Sequence, residues 1–148
     1  VFGSAGLAAD GIAGPKTLSA LGIGSASSGQ YSSSDIYLLA KVIAAEARGE
    51  PYIGQVAVGA VVLNRVQHAS FPDSIAGVVY QPGAFSCVND SNWSTEPTAQ
   101  SRKAAQDAIN GWDPSGGAIY YYNPAKTSNK WIRTRPVIQT IGAHVFCK

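Results

Sequence analysis

The sequence places a carboxylate on what its own pattern predicts to be a buried helix face. In the stretch LAKVIAAEARGEP, Glu46 lies at helical spacing from Leu39, Val42 and Ile43, so it shares their side of the helix. It also falls in the last turn, where unpaired backbone carbonyls make the potential negative. Both effects favour the protonated form of a carboxyl group, which is the form that a general acid requires. The alternative is an ion pair at the rim of the core with Lys41, Arg48 or Arg102.

The other carboxylates indicate no obvious second catalytic acid. Glu50 stands beside Pro51 at a helix start, where we expect capping rather than catalysis. Asp90, in a polar loop, remains a candidate. Hydrolysis of a glycoside normally uses two carboxyl groups, whereas a single acid suits a different route. It can protonate the glycosidic oxygen and then, as the base, take the proton from the sugar's own 6-hydroxyl, which attacks the anomeric carbon. The product is an internal anhydro sugar, and no water is consumed.

Metal and thiol chemistry are the competing interpretations. The chain holds only two histidines, His68 and His144, and no HExxH motif, so the sequence predicts neither a metal site nor a cofactor. Cys87 and His144 could be the nucleophile and the base of a peptidase, with Asn89 or Asp90 nearby. Cys87 and Cys147 could instead be two reduced thiols, or a disulfide that ties the loop to the last strand.

Aromatic and amide side chains in the second half of the chain could hold a sugar. Tyr120 and Tyr122 alternate with Tyr121 on a candidate strand, so they share one side of it, while Tyr121 is expected in the core. Aromatic faces cover the apolar faces of sugar rings, and amides and hydroxyls bind sugar hydroxyl and acetamide groups. Ordinary core packing is the alternative for the rings, and for Trp131 both interpretations stay open. The candidate substrate-binding residues are Gln81, Phe85, Ser86, Tyr120, Tyr122, Asn123 and Trp131.

The elements that position these residues are predicted to be helices up to about residue 110 and strands after it. We expect a helix over 36–48 and a second one, apolar on nearly all sides, over 51–69, which together form a buried hairpin. Gly54 and Gly59 would let a neighbouring backbone approach the second helix closely. Two further helices are predicted over 73–80 and from 95–97 to 110. Aromatic and β-branched segments then predict three short strands in a small antiparallel sheet, so the class is α+β.

Composition limits the chain to one substantial core and divides it into three parts. Its 148 residues are 45% hydrophobic and 14% charged, with a net charge of +2 and no cluster of Lys and Arg, which disfavours a nucleic-acid partner. No apolar run reaches the roughly 18 residues that a membrane span needs. The chain lacks Met and begins in mid-pattern, as a piece of a longer protein would. Residues 22–34 are rich in Gly and Ser and predict a linker between 1–21 and a domain over 35–148.

Two parts of the chain resemble known families. The string DGIAGPKT within 1–21 resembles the end of the peptidoglycan-binding repeat of wall enzymes, and a disordered remnant is the alternative. Within 35–148 a second resemblance, to the catalytic domain of the SleB-type spore cortex-lytic enzymes and their cell wall hydrolase relatives, is carried by LAKVIAAEARGEPYIGQVAVGAVVLNRV, QPGAFS, AINGWDPSGGAIYYYNPAK, KWIRTRPVI and IGAHVFCK. This second resemblance implies a lysozyme-like α+β domain.

The same resemblance implies a function. It implies a lytic transglycosylase that cleaves the glycan of spore cortex peptidoglycan, which contains muramic-δ-lactam, to 1,6-anhydromuramic ends during germination. Glu46, the first Glu of EARGEP, is then the catalytic acid. The resemblance also implies export to the spore envelope and a YpeB-type partner protein, and we expect a monomer. A Cys/His peptidase of peptidoglycan and a non-catalytic module that binds the cell wall are the alternatives.

Overall fold

The computed structural model describes residues 31–90, 93 and 96–148 of the chain. Within these residues it has four α-helices, namely α1 (Ser33–Glu46), α2 (Tyr52–Gln67), α3 (Ile75–Val79) and α4 (Ala99–Ile109). Its strands are β1 (Tyr120–Tyr122), β2 (Val137–Ile141) and β3 (His144–Cys147), and its 3-10 turns are Ser86–Asn89 and Ile132–Thr134. This arrangement confirms the predicted α+β class. The predicted remnant of a binding repeat, and most of the predicted linker, lie outside the described residues.

The hairpin of α1 and α2 is the buried centre of the domain, as the sequence predicts. From Gly54 to Val62 every residue of α2 is buried. The chain reverses at Gly49, whose φ of 80° lies in the left-handed region that favours glycine. A Cβ on Gly59 would lie 2.9 Å from Cδ1 of Ile43 and 3.4 Å from Cβ of Ala108. This glycine therefore lets α2 pack closely against both α1 and α4. The buried side chains of α1 are Leu39, Ala40, Val42 and Ile43.

The two shorter helices begin at residues whose hydroxyl groups cap them. The Ser74 hydroxyl accepts a hydrogen bond from the backbone N–H of Gly77, and the Thr98 hydroxyl accepts one from the backbone N–H of Ser101, both at 2.9 Å. The start that was predicted for the last helix, near Thr95, is wrong by about one turn. Since Thr98 satisfies a first-turn amide that would otherwise be unpaired, α4 begins after it.

The sheet has the order β1-β3-β2, and both of its strand pairs are antiparallel. In the central strand Phe146 and Cys147 are fully buried, and Phe146 stands opposite Tyr121 of β1. A register shift lies in β2 between Val137 and Gln139. In the described ranges, no helix is both long enough and apolar enough to span a membrane.

Candidate active site

Glu46 is the last residue of α1, and it binds the hydroxyl group of a tyrosine in β1. The Tyr121 hydroxyl donates a hydrogen bond of 2.6 Å to Oε1 of Glu46, across a separation of 75 residues in the chain. The Glu46 side chain is half-buried. Among the described residues it forms no ion pair, since Arg102 bonds Glu96 instead and Lys41 lies over the ring of Trp93. The alternative role of Glu46, as one half of a rim ion pair, is therefore not supported.

Tyr121 was expected in the core, and its ring does pack there, but its hydroxyl group also binds Glu46. Its ring packs against His144 and Phe146, with centroid distances of 5.0 and 5.7 Å, so β3 supports it from one side. Burial, and then the charge of Glu46, hold the pKa of Tyr121 well above its usual value, so the hydroxyl stays protonated and remains a donor. Strand alternation could have indicated this contact, because it turns Tyr121 away from Tyr120 and towards the helices, and a buried tyrosine hydroxyl needs a partner.

Cys87 is a protonated thiol close to Glu46. Burial, followed by the charge of Glu46, raises the pKa of Cys87 to about 12. A thiol with such a pKa is almost wholly protonated at neutral pH and is a poor nucleophile. The Cys/His peptidase interpretation is therefore disfavoured. Cys87 and Cys147 are both free and buried, so the structure has the two reduced thiols rather than the disulfide.

Arg65 is a buried cation that sequence reasoning missed. Only 8% of the residue is exposed, and its Nε donates a hydrogen bond of 2.7 Å to the Ile119 carbonyl, just before β1. Burial lowers the pKa of Arg65, while electrostatic interactions with Tyr121, Tyr120 and Glu46 oppose that shift. Its guanidinium lies over three rings, at 5.1 Å from the centroid of Phe71, 5.3 Å from that of Phe85 and 5.6 Å from that of Tyr120. The sequence does contain a sign of this buried cation, because Arg65 interrupts the otherwise apolar pattern of α2.

The rings around Arg65 continue outward to the surface. Tyr120 makes edge-to-face contacts with Phe71 on one side, at 6.1 Å, and with Trp131 on the other, at 5.4 Å between centroids. The Trp131 side chain is 53% exposed, so its ring is accessible to a ligand. Of the predicted binding residues, the structure thus joins Phe85, Tyr120 and Trp131 in one aromatic cluster. Arg65, which lies over two of these rings, also interacts electrostatically with Glu46 and Tyr121.

The other predicted binding residues are not part of this aromatic cluster. Tyr122 has Arg133 above its ring, at 5.8 Å from the centroid. The Asn123 side chain accepts a hydrogen bond from the backbone N–H of Ala125 and so stabilises its own turn. Ser86 is exposed at the start of the 3-10 turn, and Gln81 is half-buried in the turn before it. A role in binding remains a prediction for these four residues, as it does for the clustered three.

Glu50 has a structural role that differs from the expected cap. Helix α2 has no side-chain cap at its start. The Glu50 carboxylate instead accepts a hydrogen bond of 3.0 Å from the backbone N–H of Ala143, in the turn between β2 and β3. The capping prediction was wrong because the hairpin turn docks against the junction of α1 and α2. His144 follows that turn and is only 7% exposed, and its burial lowers its pKa, so it is neutral at pH 7.

Comparison with known proteins identifies the family. Residues 49–147 match a family model described as Cell Wall Hydrolase, and this range is more than half of the chain. The chain belongs to the cell wall hydrolase family. Curated relatives include the spore cortex-lytic enzymes of Bacillus cereus, 54% identical over 118 residues, and of Bacillus subtilis, 51% identical over 120 residues. The matches cover 80% and 81% of this chain but only 46% and 39% of those relatives. The chain thus spans less than half the length of these spore cortex-lytic enzymes.

Solved structures of this family have the same fold. The catalytic domain of the Bacillus cereus SleB protein matches with a TM-score of 0.76 and 54% identity, over 80% of this chain and 92% of that one. The catalytic domain of SleB from Bacillus anthracis, described as a germination-specific lytic transglycosylase, matches with a TM-score of 0.76 and 53% identity, over 80% and 97%. These matches confirm the resemblance to the SleB catalytic domain.

Proposed function

We propose that this domain is a lytic transglycosylase that cleaves the glycan strands of spore cortex peptidoglycan, with Glu46 as its single acid and base. The observation that carries the proposal is the short hydrogen bond between Tyr121 and Glu46, a pair that Arg65 links to an aromatic cluster reaching the surface at Trp131. The resemblance to the SleB-type catalytic domain implies the role of Glu46, and this geometry supports it, while the family model itself matches from residue 49 onward. The names of the relatives support the choice of cortex peptidoglycan as the substrate.

The geometry around Glu46 suits a carboxyl group that first donates its proton to the glycosidic oxygen and then takes one from the 6-hydroxyl. Tyr121 donates to Oε1, which leaves Oε2 as the oxygen that can carry the proton. Glu46 protonates the glycosidic oxygen, the bond between that oxygen and C1 breaks, and positive charge develops at C1. The hydrogen bond from Tyr121 stabilises the carboxylate that results. The carboxylate then takes the proton of the 6-hydroxyl as its oxygen attacks C1, so the anhydro sugar forms and Glu46 regains its proton.

The wider setting of the reaction follows from the resemblance to spore cortex-lytic enzymes. We propose a preference for cortex glycan that contains muramic-δ-lactam, cleavage to 1,6-anhydromuramic ends during germination, and action in the spore envelope. A catalytic domain over 35–148, a linker over 22–34, the end of a binding repeat over 1–21 and a YpeB-type partner belong to the same proposal.

Hydrolysis is the second candidate, and one observation favours it. Asp90 is close enough to Cys87 for its charge to raise the pKa of that thiol, and Cys87 is itself close to Glu46. Asp90 could therefore supply the second carboxylate that an inverting or a retaining hydrolase needs. In that case the glycan would be cut to reducing ends, with a water molecule added.

Mass spectrometry of the fragments that the chain releases from purified cortex separates the two candidates. Transglycosylation leaves every new muramic end lighter by one water than a hydrolytic end. We expect anhydro ends from the unaltered chain and from the variant Asp90→Asn. Reducing ends from the unaltered chain, together with loss of activity in Asp90→Asn, would overturn the proposal in favour of hydrolysis. Cut peptides with intact glycan would overturn both candidates.

A further inference from the structure

A cavity of about 410 Å³ opens beside α1, and Glu46 is not among the residues that line it. Lys41, Ala44 and Ala45 line it from one face of α1, since they lie three and four residues apart. At a helical turn of 100° per residue, Glu46 lies on nearly the opposite face, where it meets Tyr121. Small-ligand sites are typically about 300–1,000 Å³. The cavity is therefore large enough for a ligand that is distinct from the sugar at Glu46.

The charges that line this cavity favour an anion. Lys41 and Arg48 are the cations of the lining. The Nζ atom of Lys41 lies 4.3 Å from the centroid of the Trp93 ring, and this cation–π contact holds the ammonium group at the wall. The acid of the lining, Glu96, is already engaged, because it accepts hydrogen bonds from the Tyr37 hydroxyl at 2.9 Å and from Nη2 of Arg102 at 3.0 Å. The two cations are therefore not balanced within the cavity.

Two amides in the lining are fixed in orientation. The Gln55 residue is only 6% exposed, and its Nε2 donates both to Oε1 of Gln100, at 2.8 Å, and to the Glu50 carbonyl, at 3.1 Å. These bonds use the amino group of Gln55 and the carbonyl oxygen of Gln100. The complementary groups, Oε1 of Gln55 as an acceptor and Nε2 of Gln100 as a donor, are the pair that a peptide bond requires. Ala44, Ala45 and Ala47 form an apolar surface with room for small side chains.

We propose that this cavity binds the acidic peptide that peptidoglycan carries on its muramic acid residues. Carboxylates of the peptide meet Lys41 and Arg48, its amide groups meet Gln55 and Gln100, and its alanyl methyl groups meet the alanines of α1. The cavity begins beside the end of α1, because Ala47 and Arg48, which line it, directly follow Glu46, the last residue of that helix. A peptide of four residues reaches about 13–14 Å when extended. A peptide attached near the scissile bond can therefore reach these two residues past the end of α1. This inference rests on the proposed function in taking peptidoglycan as the substrate.

Titration of the nitrogen-15-labelled chain, followed by NMR, tests the cavity directly. The probe is the peptide L-alanyl-γ-D-glutamyl-diaminopimelate, and its matched control is the same peptide with every carboxylate amidated. We expect saturable shifts at the Trp93 indole and at the side-chain amides of Gln55 and Gln100. Amidation of the probe should weaken binding about tenfold or more, which needs no change to the protein. Lys41→Gln and Arg48→Gln each remove a charge but keep most of the aliphatic stem, and each should weaken binding about fivefold. Lys103→Gln, outside the lining, should change it less than twofold.

Several results would overturn the inference. They are shifts that fail to saturate, equal affinity for the amidated peptide, equal weakening by Lys103→Gln, or shifts confined to the surroundings of Glu46 and Trp131. Because the titration detects binding without cleavage, its failure leaves the proposed reaction at Glu46 untouched. Conversely, reducing ends in the fragment analysis would overturn the proposed reaction and leave the peptide site standing.

Discussion

Tyr121→Phe isolates the hydrogen bond to Glu46 from the packing around it. The substitution deletes one oxygen, and the ring can keep its contacts with His144 and Phe146. The lost contact is an O–H···O bond of 2.6 Å, and hydrogen bonds to charged groups contribute about 1.5–3 kcal/mol. In the proposed reaction Glu46 becomes charged only as it gives up its proton, so the bond strengthens towards the transition state. We therefore expect kcat to fall about 10- to 100-fold while KM changes little.

Initial rates of fragment release from cortex, measured over a range of substrate concentrations, check this expectation. Tyr37→Phe is the matched control, because it removes a tyrosine-to-glutamate hydrogen bond of 2.9 Å at an exposed site. We expect its kcat to stay within about twofold of the unaltered chain, since exposed polar pairs contribute little. Thermal unfolding of both variants reports the fold. Equal kcat values for the two variants, with native unfolding midpoints, would refute the role given to Tyr121.

Three further predictions concern the surroundings of the site. Arg65→Met should lower the free energy of unfolding by about 1–3 kcal/mol, because it leaves the Ile119 carbonyl without its donor. Urea unfolding measures this loss. The control Arg135→Met removes an exposed hydrogen bond to a backbone carbonyl, that of Lys148, and should lower the free energy of unfolding by less. Equal losses in the two variants would contradict the prediction. Since the pKa of Cys87 is about 12, iodoacetamide at neutral pH should leave the folded chain active, and rapid inactivation would revive the peptidase interpretation. Burial lowers the pKa of His144, so stability is lost as the pH falls below the ordinary value of 6.5, where the unfolded chain takes up the proton first. The stability of His144→Phe relative to the unaltered chain should therefore increase on acidification, by at most about 1.4 kcal/mol per pH unit. A difference in unfolding free energy between the two chains that stays constant with pH would contradict this.

Local sequence patterns were sufficient to predict the hairpin that holds Glu46. Helical periodicity placed Glu46 on the same side as Val42 and Ile43, and both of these residues are fully buried. Gly59 marked the close approach of the helices because only the absence of a Cβ permits it. The placement of Glu46 could be predicted because it depends on residues within a few helical turns. The missing side chain of Gly59 predicts a close approach but not the identity of its neighbours, Ile43 and Ala108.

The partners of the carboxylates could not be predicted, because they depend on how the sheet docks against the helices. Tyr121 reaches Glu46 from 75 residues away, and the backbone of Ala143 reaches Glu50 from 93 residues away. Each contact requires both the register of β1 or β2 with β3 and the position of the sheet at the end of α1. The pattern of a single strand fixes only which side chains share a face. For this reason Tyr121 was assigned to the core alone, and Glu50 was assigned to a cap.

Digestion of cortex in water labelled with oxygen-18 tests the central claim most directly. If Glu46 passes a proton from the 6-hydroxyl to the glycosidic oxygen, no water enters the product, so mass spectrometry should find no label at the new muramic ends. Glu46→Gln keeps the shape of the side chain but cannot donate the proton, and it should reduce the rate about 10²- to 10⁴-fold. One heavy oxygen at each new muramic end, or undiminished cleavage by Glu46→Gln, would contradict this account.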